Sequence, residues 1–218
     1  KKGYSVNIKN HIGETPLHLS TRSGCIEITK ILIENNADMY LESFSNDTPL
    51  YSAMTERYLS SSRRKCIKYL ISKGYDINKT NSVGISPIFN AIKYIRPEYP
   101  LLKLLINKGC DINTKGRLGQ SLIHELIYHH RFCFNRLNSY NSVMHEILSF
   151  LVSKIDINSV DHDGNTPLHW AIILRSHRRI IDYLIEKGSN KHLKNNAGRT
   201  IFQISKIVDY SYITSLYM

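Results

Sequence analysis

A chain of 218 residues with 42% hydrophobic side chains is long enough to bury a sizeable core, and it contains neither an apolar run of bilayer-spanning length nor a signal peptide near its start. Its formal charge of +11 admits an acidic protein or a nucleic acid as partner. The basic residues nevertheless fall in short groups interleaved with Glu and Asp, as at Arg63-Arg64-Lys65, Arg175 with Arg178-Arg179, and Lys191 with Lys194. That spread favours a solvated surface first, an acidic protein second and nucleic acid last.

In chain order, Lys2-Gly3-Tyr4-Ser5-Val6-Asn7 comes first and matches Lys73-Gly74-Tyr75-Asp76-Ile77-Asn78 almost position for position. Residues 1–9 therefore read as the end of a repeat whose helices are absent, so that either the sequence is a fragment of a longer protein or an atypical helical cap lies upstream. A second tract follows, Gly13-Glu14-Thr15-Pro16-Leu17-His18, and its glycine position recurs at Asn46, Gly84, Gly119, Gly164 and Gly198. Thr48-Pro49-Leu50-Tyr51 and Thr166-Pro167-Leu168-His169 are fuller matches; Ser86-Pro87-Ile88-Phe89, Ser121-Leu122-Ile123-His124 and Thr200-Ile201-Phe202-Gln203 are degenerate ones. Ten residues before each lies a helix-ending position, at Gly3, Asn36, Gly74, Gly109, Lys154 and Gly188. The offset is constant although the repeat length is not.

Glycine or asparagine after a Leu/Ile-rich run ends a helix in the left-handed conformation. The next ten residues are expected to form a protruding β-hairpin, with turn residues such as Asp163-Gly164 and Ala197-Gly198 at its tip. Thr or Ser then caps the following helix, and Pro at the first helical position loses no hydrogen bond there. Lys154 breaks the pattern and predicts strain or a different helix end. Each second helix shows an apolar face expected to be core: Ile28, Leu32 and Ile33; Ile67, Leu70 and Ile71; Leu102, Leu105 and Ile106; Ile147, Leu148 and Leu151; Ile181, Leu184 and Ile185. The extra length of the middle repeats must lie between first and second helices, at about Tyr58 to Arg64, Ile95 to Pro100 and His130 to Asn141.

Chemistry of other kinds finds little footing. The group His124, His129, His130 and Cys133 lacks zinc-site spacing, and Asp161-His162-Asp163-Gly164 lacks the later ligands of a calcium loop, so it reads as a hairpin tip. No phosphate loop, nucleophile elbow or kinase signature is present, and no enzyme activity, metal or cofactor is expected. The cysteines Cys25, Cys66, Cys110 and Cys133 show no paired spacing and suit a reducing compartment, hence a soluble intracellular protein.

The recurring tracts resemble ankyrin repeats, an all-α solenoid of helix pairs with protruding hairpin loops and about six recognisable units here. On that frame the single solenoid divides into repeats at 10–42, 43–80, 81–115, 116–160, 161–194 and 195–218, the last short of a full unit. The resemblance implies that His18, His124 and His169 hydrogen-bond neighbouring backbone. It also implies protein binding through the hairpin tips and the exposed side of each first helix. Those positions are His11, Ile12, Glu14 and Arg22; Phe44, Ser45 and Asp47; Val83, Ile85 and Tyr94; Arg117, Leu118, Gln120 and Tyr128; His162, Asp163 and Asn165. A rival surface is the insertion edge, where Arg131, Phe132, Phe134, Arg136 and Tyr140 are of the types enriched at binding hot spots.

The Asn/Ile/Lys/Tyr-rich style, with tracts such as I-E-N-N-A-D and D-H-D-G-N-T-P-L-H, is similar to the ankyrin proteins of poxviruses. That resemblance implies a host-range or immune-evasion adaptor: the repeats capture a host signalling protein of the NF-kappa-B, interferon or cell-death pathways, and a C-terminal F-box-like segment docks a cullin-based ubiquitin ligase. Because the chain ends inside its last helix pair at Ser215-Leu216-Tyr217-Met218, ligase subunits would be engaged by a segment outside it. Host cytoplasm is the expected compartment, with the nucleus as an alternative, and no membrane partner is expected. A cellular ankyrin scaffold without a ligase link, and a basic nucleic-acid-binding protein, are the alternatives.

Overall fold

The computed structural model describes residues 5–54, 60–93, 100–130, 139–210 and 212. Among these residues there are eleven helices and no strand. The first compact unit, Lys1–Asp111, holds three helix pairs: α1 (Pro16–Ser23) with α2 (Ile26–Glu34), α3 (Pro49–Met54) with α4 (Ser61–Ser72), and α5 (Pro87–Lys93) with α6 (Pro100–Asn107). First helices stack on one another, α1 on α3 and α3 on α5, and α2 lies against α4. The second unit, Ile112–Met218, pairs α7 (Leu122–His130) with α8 (Ser139–Val152) and α9 (Pro167–Ile173) with α10 (Arg178–Glu186). There α9 packs between α7 and α11 (Ile201–Ile207).

First helices of six to nine residues are too short to persist alone, so stacking must hold them. The fifth residue of the recurring tract supplies the contact. Leu17, Leu50, Ile88, Ile123 and Leu168 are all fully buried, each stabilising by roughly 1.5–3 kcal/mol. Thr166 and Thr200 cap their helices, and Pro16 and Pro167 begin theirs where a missing N–H costs nothing.

The ends of the second helices follow the predicted chemistry with one exception. Asn36, Gly74, Gly109 and Gly188 all adopt positive φ, between 62° and 95°. At Gly74 the turn closes with its N–H on Ile71 O and the Tyr75 N–H on Leu70 O. Lys154 stays out of the left-handed region. The Ile155 N–H instead donates to Leu151 O at 2.8 Å, one more helical bond, so α8 ends differently and no strained lysine results.

The segment after each second helix forms the expected protruding hairpin loop, closed by one short set of backbone bonds and without strand pairing among the described residues. One core expectation is corrected. Ile28 was expected in the core and is 50% exposed. The main helical contacts of α2 are with α1 and α4, and Ile28 lines an open groove with Leu19 and Arg63 from those two helices. Of the remaining predicted core positions, Ile67, Leu70, Leu102, Leu105, Ile147, Leu148, Leu151, Ile181 and Leu184 are buried as expected, whereas Leu32, Ile33, Ile71, Ile106 and Ile185 are only half-buried.

The described helices bracket the expected insertions, at 55–60, 94–99 and 131–138. Part of the extra sequence also lengthens helices. Ser60 caps α4 by accepting from the Arg63 N–H at 3.2 Å, and Arg63 and Arg64 lie within that helix.

Candidate functional site

All six hairpin tips are the same loop. The residue three before the tip donates its N–H to the carbonyl just after the tip, as in Asn10 to Glu14, Ser43 to Asp47, Asn81 to Ile85, Gly116 to Gln120, Asp161 to Asn165 and Asn195 to Arg199, at 2.8–3.0 Å. Each tip residue, Gly13, Asn46, Gly84, Gly119, Gly164 or Gly198, takes positive φ. At Gly13 a side chain is excluded twice over, because a Cβ would also come within 2.7 Å of the Phe44 backbone nitrogen. Asn46 fills the position by adopting the left-handed conformation that asparagine tolerates.

A side-chain oxygen completes the loop. Asn10 Oδ1 accepts from the N–H groups of Ile12 and Glu14. Asp161 Oδ1 does the same for Asp163 and Asn165, Asn195 Oδ1 for Ala197 and Arg199, and Ser43 Oγ for Ser45. Where the fourth loop has Gly116 and hence no oxygen, Gln120 reaches back and its Oε1 accepts from the Leu118 N–H at 2.8 Å. The Asp161-His162-Asp163-Gly164 segment is thereby explained without an ion, since Asp161 Oδ2 also accepts from Trp170 Nε1 at 2.7 Å.

Behind the tips lies a histidine latch. His18 Nδ1 accepts from the Thr15 N–H at 3.1 Å, and Nε2 donates to Asp47 O of the next repeat at 2.9 Å. His124 does so between Ser121 and Asn165, and His169 between Thr166 and Arg199. A carbonyl can only accept, so the Nε2–H tautomer is required. All three rings are fully buried. Burial lowers each pKa from its usual 6.5, that of His124 to about 4, against the opposing pull of the backbone hydrogen bond. Tyr51 performs the reaching half of the latch, its hydroxyl donating to Ile85 O.

The latch fixes where the candidate recognition residues point. Phe44 is 73% exposed, Leu118 59%, Tyr128 45% and Ile12 44%; Arg117, His162 and Asp163 are exposed as well. Adjoining tips are tied directly, Phe44 N–H to Ile12 O at 3.1 Å and His162 N–H to Leu118 O at 2.9 Å. Val83, Ile85, Asp47 and Arg22 are half-buried. Two residues expected on this surface turn inward: Glu14, whose carboxylate takes both guanidinium nitrogens of Arg22, and Asn165, held by Asp161 and Asn195. Tyr94, Arg131, Phe132, Phe134 and Arg136 lie outside the described residues, and Tyr140 falls in the first turn of α8.

A family model of ankyrin repeats in three copies matches residues 2–81 and 88–195. The chain is an ankyrin repeat protein. It is 30% identical over 76 residues to ankyrin repeat protein T5 of rabbit fibroma virus (strain Kasza), covering 35% of this chain and 16% of that protein. It is 36% identical over 61 residues to alpha-latroinsectotoxin-Lt1a of Latrodectus tredecimguttatus, covering 28% of this chain and 4% of the toxin. The chain thus spans only a small part of the length of the curated relatives it matches. Among solved structures, the ankyrin repeat domain of Bcl-3, titled a unique member of the IkappaB protein family, has the same fold, with a TM-score of 0.71 and 19% identity over 93% of this chain and 82% of that one.

The ankyrin frame also exposes residues that sequence reading passed over. Trp170, half-buried on α9, lies with its ring centroid 6.0 Å from that of Tyr128, and Tyr128 meets the His129 ring at 4.9 Å. His129 in turn pairs with Glu125 at 2.9 Å. These side chains make an aromatic patch on the first helices of the second unit; the signal available was a tryptophan directly after a latch histidine. On the first unit, Leu19 and Ile28 line a groove of about 530 Å³ with Arg22 and Arg63 beside it. No helix among the described residues is long and apolar enough to cross a membrane.

Proposed function

We propose that this chain is the protein-capturing module of a viral host-range or immune-evasion adaptor and has no catalytic role. It holds a host innate-immune or cell-death signalling protein on its hairpin tips and first helices. The captured protein is delivered to a cullin-RING ubiquitin ligase through a segment outside this chain, or is sequestered, in the host cytoplasm or nucleus. The observation that carries the reading is the pair of adjoining tips bearing Ile12 and Phe44, apolar and exposed where a solvated loop would carry polar residues. Membership of a protein-interaction fold and the similarity to a viral ankyrin protein support it. The partner surface comprises Ile12, Arg22, Phe44, Asp47, Val83, Ile85, Tyr94, Arg117, Leu118, Tyr128, His162 and Asp163, with Glu14 holding Arg22 in place; Arg131, Phe132, Phe134, Arg136 and Tyr140 form the rival edge.

The test is affinity purification from cells expressing the protein, with and without a proteasome inhibitor and with and without ribonuclease. A specific signalling protein that accumulates with the inhibitor and survives ribonuclease is the expected result. Recovery of no cellular protein above background would remove the adaptor reading, and loss of all partners to ribonuclease would favour nucleic acid.

A further inference from the structure

The second helices of the first unit carry lysine at one structural register. Asn36, Gly74 and Gly109 end these helices with positive φ, and the sixth residue before each is Lys30, Lys68 or Lys103. All three are exposed. The register holds in space because the helix ends are tied by the same bond at every step. Asn7 Oδ1 accepts from the Asp38 N–H at 2.9 Å, the Tyr40 hydroxyl oxygen from the Asp76 N–H at 2.9 Å, and Asn78 Oδ1 from the Asp111 N–H at 2.8 Å.

Exposed Lys65, Lys73 and Lys108 extend the row. Tyr69 sits within it, with the Lys30 and Lys73 ammonium groups 5.9 and 5.5 Å from its ring centroid. No Asp or Glu occurs from Ser60 to Tyr75 or from Pro100 to Cys110. Glu27 and Glu34 flank Lys30 and bound the surface on α2; Asp38, Asp76 and Asp111 bound it at the helix ends, the first two with carboxylates accepting from the N–H groups of Tyr40 and Asn78. In the second unit Asp182 occupies the same register on α10, so the row belongs to the first unit.

We propose that the exposed faces of α2, α4 and α6 bind an extended acidic polypeptide segment, independently of whatever the hairpin tips hold. Packed helices such as α2 and α4 lie about 8–10 Å apart and an extended chain advances about 3.3 Å per residue, so carboxylates about three residues apart meet Lys30 and Lys68, and the Asn78–Asp111 bond carries the register on to Lys103. About seven residues span the row. Lysine offers hydrated point charges without the planar fork of arginine, and the row has one aromatic ring. Carboxylates on a flexible chain fit this better than a nucleic acid, which uses arginine forks and stacking platforms.

The test measures fluorescence anisotropy of the full chain with a labelled (Glu-Ser-Gly)4 peptide at low and physiological salt. The variant K30Q/K68Q/K103Q is compared with K187Q/K191Q/K194Q, which removes the same charge from the second unit, and circular dichroism checks both folds. The row variant is expected to bind about tenfold more weakly than wild type, and the control within about twofold. Equal losses in the two variants would reduce the effect to net charge and overturn the proposal, as would unchanged binding by the row variant. Tighter binding of a 12-nucleotide single-stranded RNA than of the peptide, lost in the row variant, would assign the surface to nucleic acid instead.

Discussion

The hairpin tips of residues 5–111 and those of residues 112–210 are built on one loop and differ in what they show to solvent. In the first group Ile12 and Phe44 face outward side by side, whereas in the second Leu118 is followed by His162, Asp163 and Asn196. The latches behind them differ too, with His18 and Tyr51 in the first unit and His124 and His169 in the second. The difference teaches that loop closure and helix capping set the frame, leaving the outward residues free to vary. Recognition is therefore sought where the two units diverge, and stability where they agree.

The comparison is broken most forcefully by removing a latch. His124→Ala leaves the Ser121 N–H without its acceptor, takes from the Asn165 carbonyl one of its two donors while the Asp161 N–H stays, and opens a cavity, with an expected loss of about 3–5 kcal/mol in urea unfolding. His124→Gln is the sharper variant, because Gln203 already caps α11 by accepting from the Thr200 N–H at 2.9 Å. It should recover part of the loss by restoring the cap alone.

Acid gives the next largest effect and separates the units. A histidine whose folded pKa is depressed takes up its proton more readily when unfolded, so stability falls as pH drops below 6.5. For His124 the fall continues to about pH 4 and amounts to roughly 3 kcal/mol. His169 and His177 add to it in the second unit, and only His18 acts this way in the first. Asp47 runs oppositely: burial raises its pKa above 3.8, so protonation favours the fold of the first unit at low pH. Hydrogen exchange at pH 7 and 4.5 should show amides of 112–210 losing protection more than those of 5–93. Equal losses would refute the latch account.

Smaller effects probe the loops. Gly13→Ala meets both positive φ and the Phe44 backbone, while Gly84→Ala meets positive φ alone with nothing within 4 Å. Both should destabilise by at least about 1 kcal/mol, the former more. Tyr51→Phe, which removes only the hydroxyl bond to Ile85, should cost about 1 kcal/mol. Denaturant midpoints at constant slope check all three.

Much of this was legible in the sequence because the frame rests on local chemistry. A left-handed residue, a hydroxyl cap and a proline each act within a turn, and a constant spacing brought them into register. The latch histidines were readable through the family resemblance. What escaped depended on neighbours distant in sequence. Glu14 turned inward because Arg22 claims its carboxylate, and Ile28 stayed exposed because it lines an open groove with Leu19 and Arg63. Gln120 replaces a loop oxygen that Gly116 lacks, a substitution visible only once both are placed. The Asn7 and Asn78 bridges likewise join residues more than thirty apart.

Under the proposed function the outward tips of the first unit capture the partner while the frame does the folding, and I12S/F44S separates the two when measured in parallel for melting temperature and for capture of whichever cellular protein the wild type retains. A melting temperature within a few degrees of wild type and at least about a tenfold loss of capture are expected. Undiminished capture by a folded I12S/F44S protein would contradict the proposed function.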